Sequence, residues 1–181
     1  MNILLAFTPF VTFAILNRFV GMTGGLVLGT LVALALVIYG VVVKKQSAKI
    51  LEVGTLFLFL GLTLYTGILT ATWSAVVVRL CVDGGLLAIV LFSLLIRKPF
   101  TMQYARETVA PEFWDSSQFI HTNYVITGAW ACAFLAIVAF DVVMVVVPKI
   151  PLQAGIAVAV VALLAAMRFS SWYPDQAHAR A

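Results

Sequence analysis

The chain has 181 residues, 64% of them hydrophobic and only 10% charged, with a formal net charge of +4. Soluble domains carry about 25% charged and about 45–50% apolar residues, so the composition excludes a soluble enzyme or a soluble binding module. The basic excess is no nucleic-acid footprint either, because the cations stand at the ends of apolar runs instead of along a stripe of stacking aromatics.

The apolar runs predict an all-α integral membrane protein of six transmembrane helices, arranged as three hairpins in one domain and bathed in the lipid bilayer. The first span covers residues 3–19 and is read as a retained helix, since Met1–Phe7 lacks a basic region and a small-residue cleavage site. The second covers 21–43 and is ended by Lys44, Lys45 and Lys49. In it Gly21, Gly25 and Gly29 lie four apart on one stripe, a small-residue row that lets backbones approach closely. That face, and a similar one through Gly155, Ala159, Ala162 and Ala166, can pack within the fold, against a second copy or in a larger membrane complex. Spans three and four, 53–71 and 74–96, are joined by a tight turn over Thr70–Ser74. Spans five and six cover 123–147 and 152–167, with Pro148 and Pro151 between them.

Placing both termini in the cytoplasm puts eight of the 11 Lys and Arg residues on that side, leaving Arg18, Arg79 and Lys149 toward the other. Loops 44–52 and 97–122 are then cytoplasmic, and the expected address is the inner, or plasma, membrane. A faint repetition accompanies this: Arg18 precedes Gly24-Gly25, Arg79 precedes Gly84-Gly85, and Lys149 precedes Gly155, each followed by an apolar run closing on basic residues. It reads either as a duplicated hairpin or as the ordinary look of hairpins with basic ends.

Arg79, Asp83 and Asp141 are the charges that fall inside the hydrocarbon runs. A charge at bilayer depth costs roughly 2.5–3.5 kcal/mol, so such residues turn toward protein or water. Arg79 and Asp83 are one helical turn apart and can pair. Counting at 1.5 Å per residue puts Arg79 roughly 9 Å, Asp83 roughly 15 Å and Asp141 roughly 10 Å from the outer boundary. Arg18 can snorkel toward the same zone. The group Arg18, Arg79, Asp83 and Asp141 is therefore the candidate polar cluster, either a site in the outer half of the membrane or an ion-pair lock between helices.

The second polar stretch is the loop from Arg97 to His121. Pro99 suits the first turn of a short amphipathic interfacial helix ending near Pro111, with Phe100, Tyr104 and Val109 dipping into the interface. Asp115, Ser116 and Ser117 are candidate caps for the helix that follows. Tyr104, Arg106, Glu107 and Trp114 make this loop a candidate docking surface. Its string RKPFTMQYARE, followed by Glu-Phe-Trp and an apolar helix opening near Thr122-Asn123, resembles a motif of small bacterial membrane proteins loosely grouped with the intracellular septation protein A-like family. The resemblance covers about 25 residues and implies a bacterial inner-membrane protein without established catalytic residues.

Signatures of enzymes and cofactors are missing. His121 and His178 offer no pair within helices for haem, and no phosphate loop, HExxH or GxSxG occurs. Cys81 and Cys132 lie far apart in apolar runs and are expected to pack as small buried hydrophobes. No catalytic residue, metal site or cofactor is assigned. The expected function is a small transporter or channel; a non-catalytic envelope or division scaffold, or an accessory subunit, is the alternative.

Overall fold

The computed structural model describes the backbone of residues 3–68 and 73–179 and the side chains of 4–68 and 73–174. Two compact units emerge, residues 1–78 and 79–181.

The first unit holds α1 (Ile3–Ala6), α2 (Thr8–Ile38), a π-helical turn (Tyr39–Val43), α3 (Ile50–Ile68) and the first residues of α4 (Ala75–Leu95). Pro9 sits in the first turn of α2, where its missing N–H costs nothing. Gly21 interrupts α2 with φ 75° and ψ 173°, a conformation essentially restricted to glycine. The chain folds back there. A Cβ on Gly25 would stand 2.9 Å from Asn17 Cβ and 3.0 Å from its Cα, whereas residues eight apart on a straight helix are separated by roughly 12 Å. Phe13 and Gly29, each eight residues from Gly21, both meet Phe59 of α3: the Phe13 ring centroid lies 6.0 Å from that of Phe59, and a Cβ on Gly29 would fall 2.6 Å from its ring carbons. Thr30 and Thr63 share a hydroxyl hydrogen bond of 3.0 Å beside them.

At the start of α3, Lys49 and Glu52 lie one turn apart with Nζ 3.6 Å from Oε1 and side chains 5% and 3% exposed. Gly40 of the π-helical turn stands directly over the Glu52 carboxylate, its Cβ position 3.4 Å from Oε2. Burial holds Lys49 below the usual lysine range, and the Glu52 charge opposes that shift.

The second unit holds the rest of α4, α5 (Phe100–Ala105), a 3₁₀ turn (Pro111–Phe113), α6 (Ser117–Val146) and α7 (Leu152–Ala179). Ser93 near the end of α4 donates to Val90 O at 2.7 Å and accepts from Phe100 N at 3.3 Å, joining α4 to the start of α5. Ser116 caps α6 by accepting from Phe119 N at 3.2 Å. Thr101 ties α5 to α6 through Asn123 O at 3.0 Å and Thr127 Oγ1 at 2.7 Å. Trp130 of α6 donates to Ser170 Oγ of α7 at 2.9 Å, so the polar end of a buried indole is satisfied.

Five helices among the described residues are long and apolar enough to cross a bilayer: Thr8–Val43, Ile50–Ile68, Ala75–Leu95, Ser117–Val146 and Leu152–Pro174. Leu135, Val142, Val143 and Val146 of α6 and Val160, Val161 and Leu164 of α7 are exposed. A soluble surface rarely carries so large an apolar expanse. These features mark a multi-pass helical membrane protein.

Several sequence expectations are corrected. The expected boundary between residues 3–19 and 21–43 falls at Gly21, the non-helical break within α2, but the helical arm before it begins at Thr8, after the short α1. Gly21 is a backbone hinge and not a packing residue: nothing lies within 4 Å of its Cβ position. The third helix begins at Ile50 rather than 53, since Lys49 and Glu52 are buried as a pair instead of lying in a wet loop. Its end at 71 and part of the Thr70–Ser74 turn fall outside the described residues. The fifth span begins at Ser117, six residues early, because the Ser116 cap starts the helix there. The last helix continues past 167 to Ala179, through Pro174.

The interfacial helix is also different. Only six residues, Phe100–Ala105, are α-helical, and Phe100, Thr101 and Tyr104 are buried. The Phe100 ring meets Trp130 at 6.4 Å, edge on, so the apolar residues of this segment find a protein neighbour rather than lipid. Cys132 is exposed, not buried. The three repeat glycines have unlike surroundings: a Cβ would strike Val20 at Gly24, open space at Gly84, and Met144 and Arg79 at Gly155.

Candidate functional site

Three helix ends of the second unit meet around Arg79. It lies one turn into α4, Asp141 lies just before the last turn of α6, and Gly155 lies in the first turn of α7. The short connection from Val147 to Pro151 forces the end of α6 and the start of α7 together. The guanidinium serves all three. Its Nε stands 3.1 Å from Asp141 Oδ1 and 3.4 Å from Asp83 Oδ2, and Nη2 donates to the Gly155 carbonyl at 2.7 Å.

One nitrogen cannot satisfy both carboxylates, because Nε carries a single hydrogen. The bond is directed at Asp83. Asp141, with its side chain 0% exposed, accepts no hydrogen bond at either oxygen among the described residues, although it keeps its ion pair with Arg79. Asp83 is the accessible member, 21% exposed. Both carboxyl groups lean on that one nitrogen, at 3.1 and 3.4 Å, which makes them close neighbours. The cluster thus sets two carboxylates against one cation in an environment that solvates charge poorly.

Gly155 fits this arrangement because it has no side chain. A Cβ there would fall 2.6 Å from Met144 Sδ, 2.9 Å from Arg79 Nη1 and 3.2 Å from Cζ. Methionine can swing aside, but the guanidinium is pinned by three partners. Gly155→Ala is therefore expected to displace Arg79 and cost about 1–3 kcal/mol. Thermal unfolding in detergent checks this, and an unchanged midpoint would refute it.

Of the candidate residues, Arg79, Asp83 and Asp141 are brought together. Arg18 is exposed in the first unit, next to the Gly21 reversal. Gly25 and Gly29 lie in close helix contacts. In the candidate docking loop, Tyr104 is only 6% exposed and belongs to the core. Arg106 is exposed and lies over the Trp114 ring at 5.2 Å, and Trp114 Nε1 donates to Val109 O at 2.9 Å, so this corner is folded on itself. Glu107 is half-buried.

Two participants escaped sequence reasoning. Its spacing marks Gly155 as a packing residue, while its carbonyl accepts from Arg79; its place a few residues after Pro151 is the available signal. The buried Lys49–Glu52 pair had only its i, i+3 spacing to announce it. Compared with family models, with curated proteins and with solved structures, the chain finds no match.

Proposed function

We propose that this protein is a small ion- or solute-translocating membrane protein whose working site is the Arg79–Asp83–Asp141 cluster. The observation that supports it is Asp141: a fully buried carboxylate with no hydrogen-bond donor at either oxygen among the described residues, beside a cation shared with a second carboxylate. Ionisable residues at membrane depth that face the protein interior mark ion and substrate pathways. Asp83 supplies the accessible approach and Asp141 the inner group.

In this reading the two arms on either side of Gly21 cross separately. Residues 3–20 would cover roughly 27 Å and residues 22–43 roughly 33 Å at 1.5 Å per residue, against a hydrocarbon thickness of about 30 Å. Six crossings follow, with both termini on one side. The lysine and arginine bias makes that side the cytoplasm of a plasma membrane, and the cluster lies toward the outer face.

The rival reading is a structural lock in a non-catalytic scaffold, favoured by the bond from Arg79 to the Gly155 carbonyl. Asparagine variants separate the two. Asp83→Asn and Asp141→Asn each leave one carboxylate for one guanidinium, so both proteins are expected to fold. Proteoliposomes on a solid-supported membrane, given jumps of sodium, potassium, chloride or protons, should show a transient current in the parent protein that falls at least tenfold in both variants. Equal currents in parent and variants, or no current to any of these ions, would overturn the proposal.

A further inference from the structure

The charge balance of the cluster constrains what it holds. With both carboxylates ionised, Arg79 leaves one negative charge uncompensated at a position where Asp141 has no water contact. Among the described residues the polar groups that face the pair are few. Arg79 and Asp83 come from α4, Asp141 comes from α6, and α7 contributes the uncharged Gly155 carbonyl, already taken by Arg79 Nη2. Lys149, in the connection between α6 and α7, is exposed.

A metal cation fits this donor set badly. Hard cations take about six to eight oxygen ligands, and among the described residues no group of three or more His, Cys, Asp and Glu gathers to hold a metal. The guanidinium also already occupies the position beside both carboxylates that a second cation would need. A proton has no such requirement. It can sit between two carboxyl oxygens, turning one Asp into a donor for the other and satisfying an oxygen of Asp141 that accepts no hydrogen bond among the described residues.

We propose that Asp83 and Asp141 form a proton-binding pair that carries one proton between them and exchanges it through the accessible Asp83. This deepens the proposed function and rests on it for its physiological meaning, but the chemistry can be read without any transport assay. Binding forms an O–H bond on one carboxylate and changes the pair from two negative charges to one. Release through Asp83 returns the proton to water and restores the second charge. No oxidant or other reactant is needed.

Isotope-edited infrared spectroscopy tests this on the full chain in lipid, with carboxyl-¹³C-aspartate shifting every aspartate band. Asp115 is exposed in the polar loop, outside the five candidate spans. At neutral pH the parent protein should show a protonated aspartate carbonyl band that shifts with the label and is lost in both Asp83→Asn and Asp141→Asn. Rapid deuterium shift of the band supports exchange through Asp83. Absence of the band at neutral pH, or its persistence in both asparagine variants, overturns the proton assignment. The two proposals can fail separately. A band without any current leaves the proton pair standing and removes transport, whereas a current without the band leaves transport standing and removes the proton.

Discussion

Arg79→Gln is expected to be the most damaging single change in the second unit. It leaves Asp83 and Asp141 facing each other without a cation and removes the donor that closes the Gly155 carbonyl. Taking one partner from a buried pair typically costs about 3–5 kcal/mol, because the remaining charge is left unsolvated. Arg79→Lys is not a rescue. Arginine reaches two helices at once through separate nitrogens of a rigid fork, while lysine offers one point charge. The informative rescue is Arg79→Gln combined with Asp141→Asn, which removes the more buried of the stranded carboxylates. Thermal unfolding of purified protein should rank the parent and Asp141→Asn highest, the double variant next and Arg79→Gln lowest. If Arg79→Gln unfolds with the parent, the guanidinium is not what holds α4, α6 and α7 together at this end.

The cluster was legible in the sequence because charge inside a hydrocarbon run is rare and costly, and the i, i+4 spacing of Arg79 and Asp83 fixes a shared helix face. The partnership with Asp141 followed from counting depth along two helices. The missing part was competition. Sequence spacing cannot show that one Nε hydrogen is claimed by Asp83, nor that Gly155 supplies the third partner from α7.

The glycine row in α2 shows a related limit. Positions 21, 25 and 29 look equivalent on a helical wheel. Yet only Gly25 and Gly29 lie in close contacts, while Gly21 takes a positive φ and reverses the chain. Spacing encodes which residues share a face only as long as the helix continues, and a glycine is also the residue best able to end it. Tyr104 failed for the opposite reason. Its apolar neighbours were assigned to the lipid interface, but Phe100 found Trp130 of α6, a partner distant in sequence.

The Lys49–Glu52 pair gives the second large effect, and its sign with pH is definite. Burial holds the lysine below its ordinary value of 10.5, so between the lowered value and 10.5 the unfolded chain binds more protons than the folded one. Stability should therefore rise with pH across that window, as the unfolded lysine loses the proton that the folded one has already given up. Glu52→Gln removes the charge that opposes the shift and extends the window to lower pH. At neutral pH it takes from a buried ammonium the carboxylate 3.6 Å away and should cost about 3 kcal/mol, the lower end for a buried pair. Replacing both residues, Lys49→Met with Glu52→Leu, removes the buried ammonium and the pH slope together. Such exchanges of buried pairs for apolar side chains are often neutral or stabilising. Unfolding midpoints of the three proteins measured from neutral to alkaline pH check both parts. A flat profile for Glu52→Gln at the parent's stability would mean that water reaches Lys49 in the folded protein.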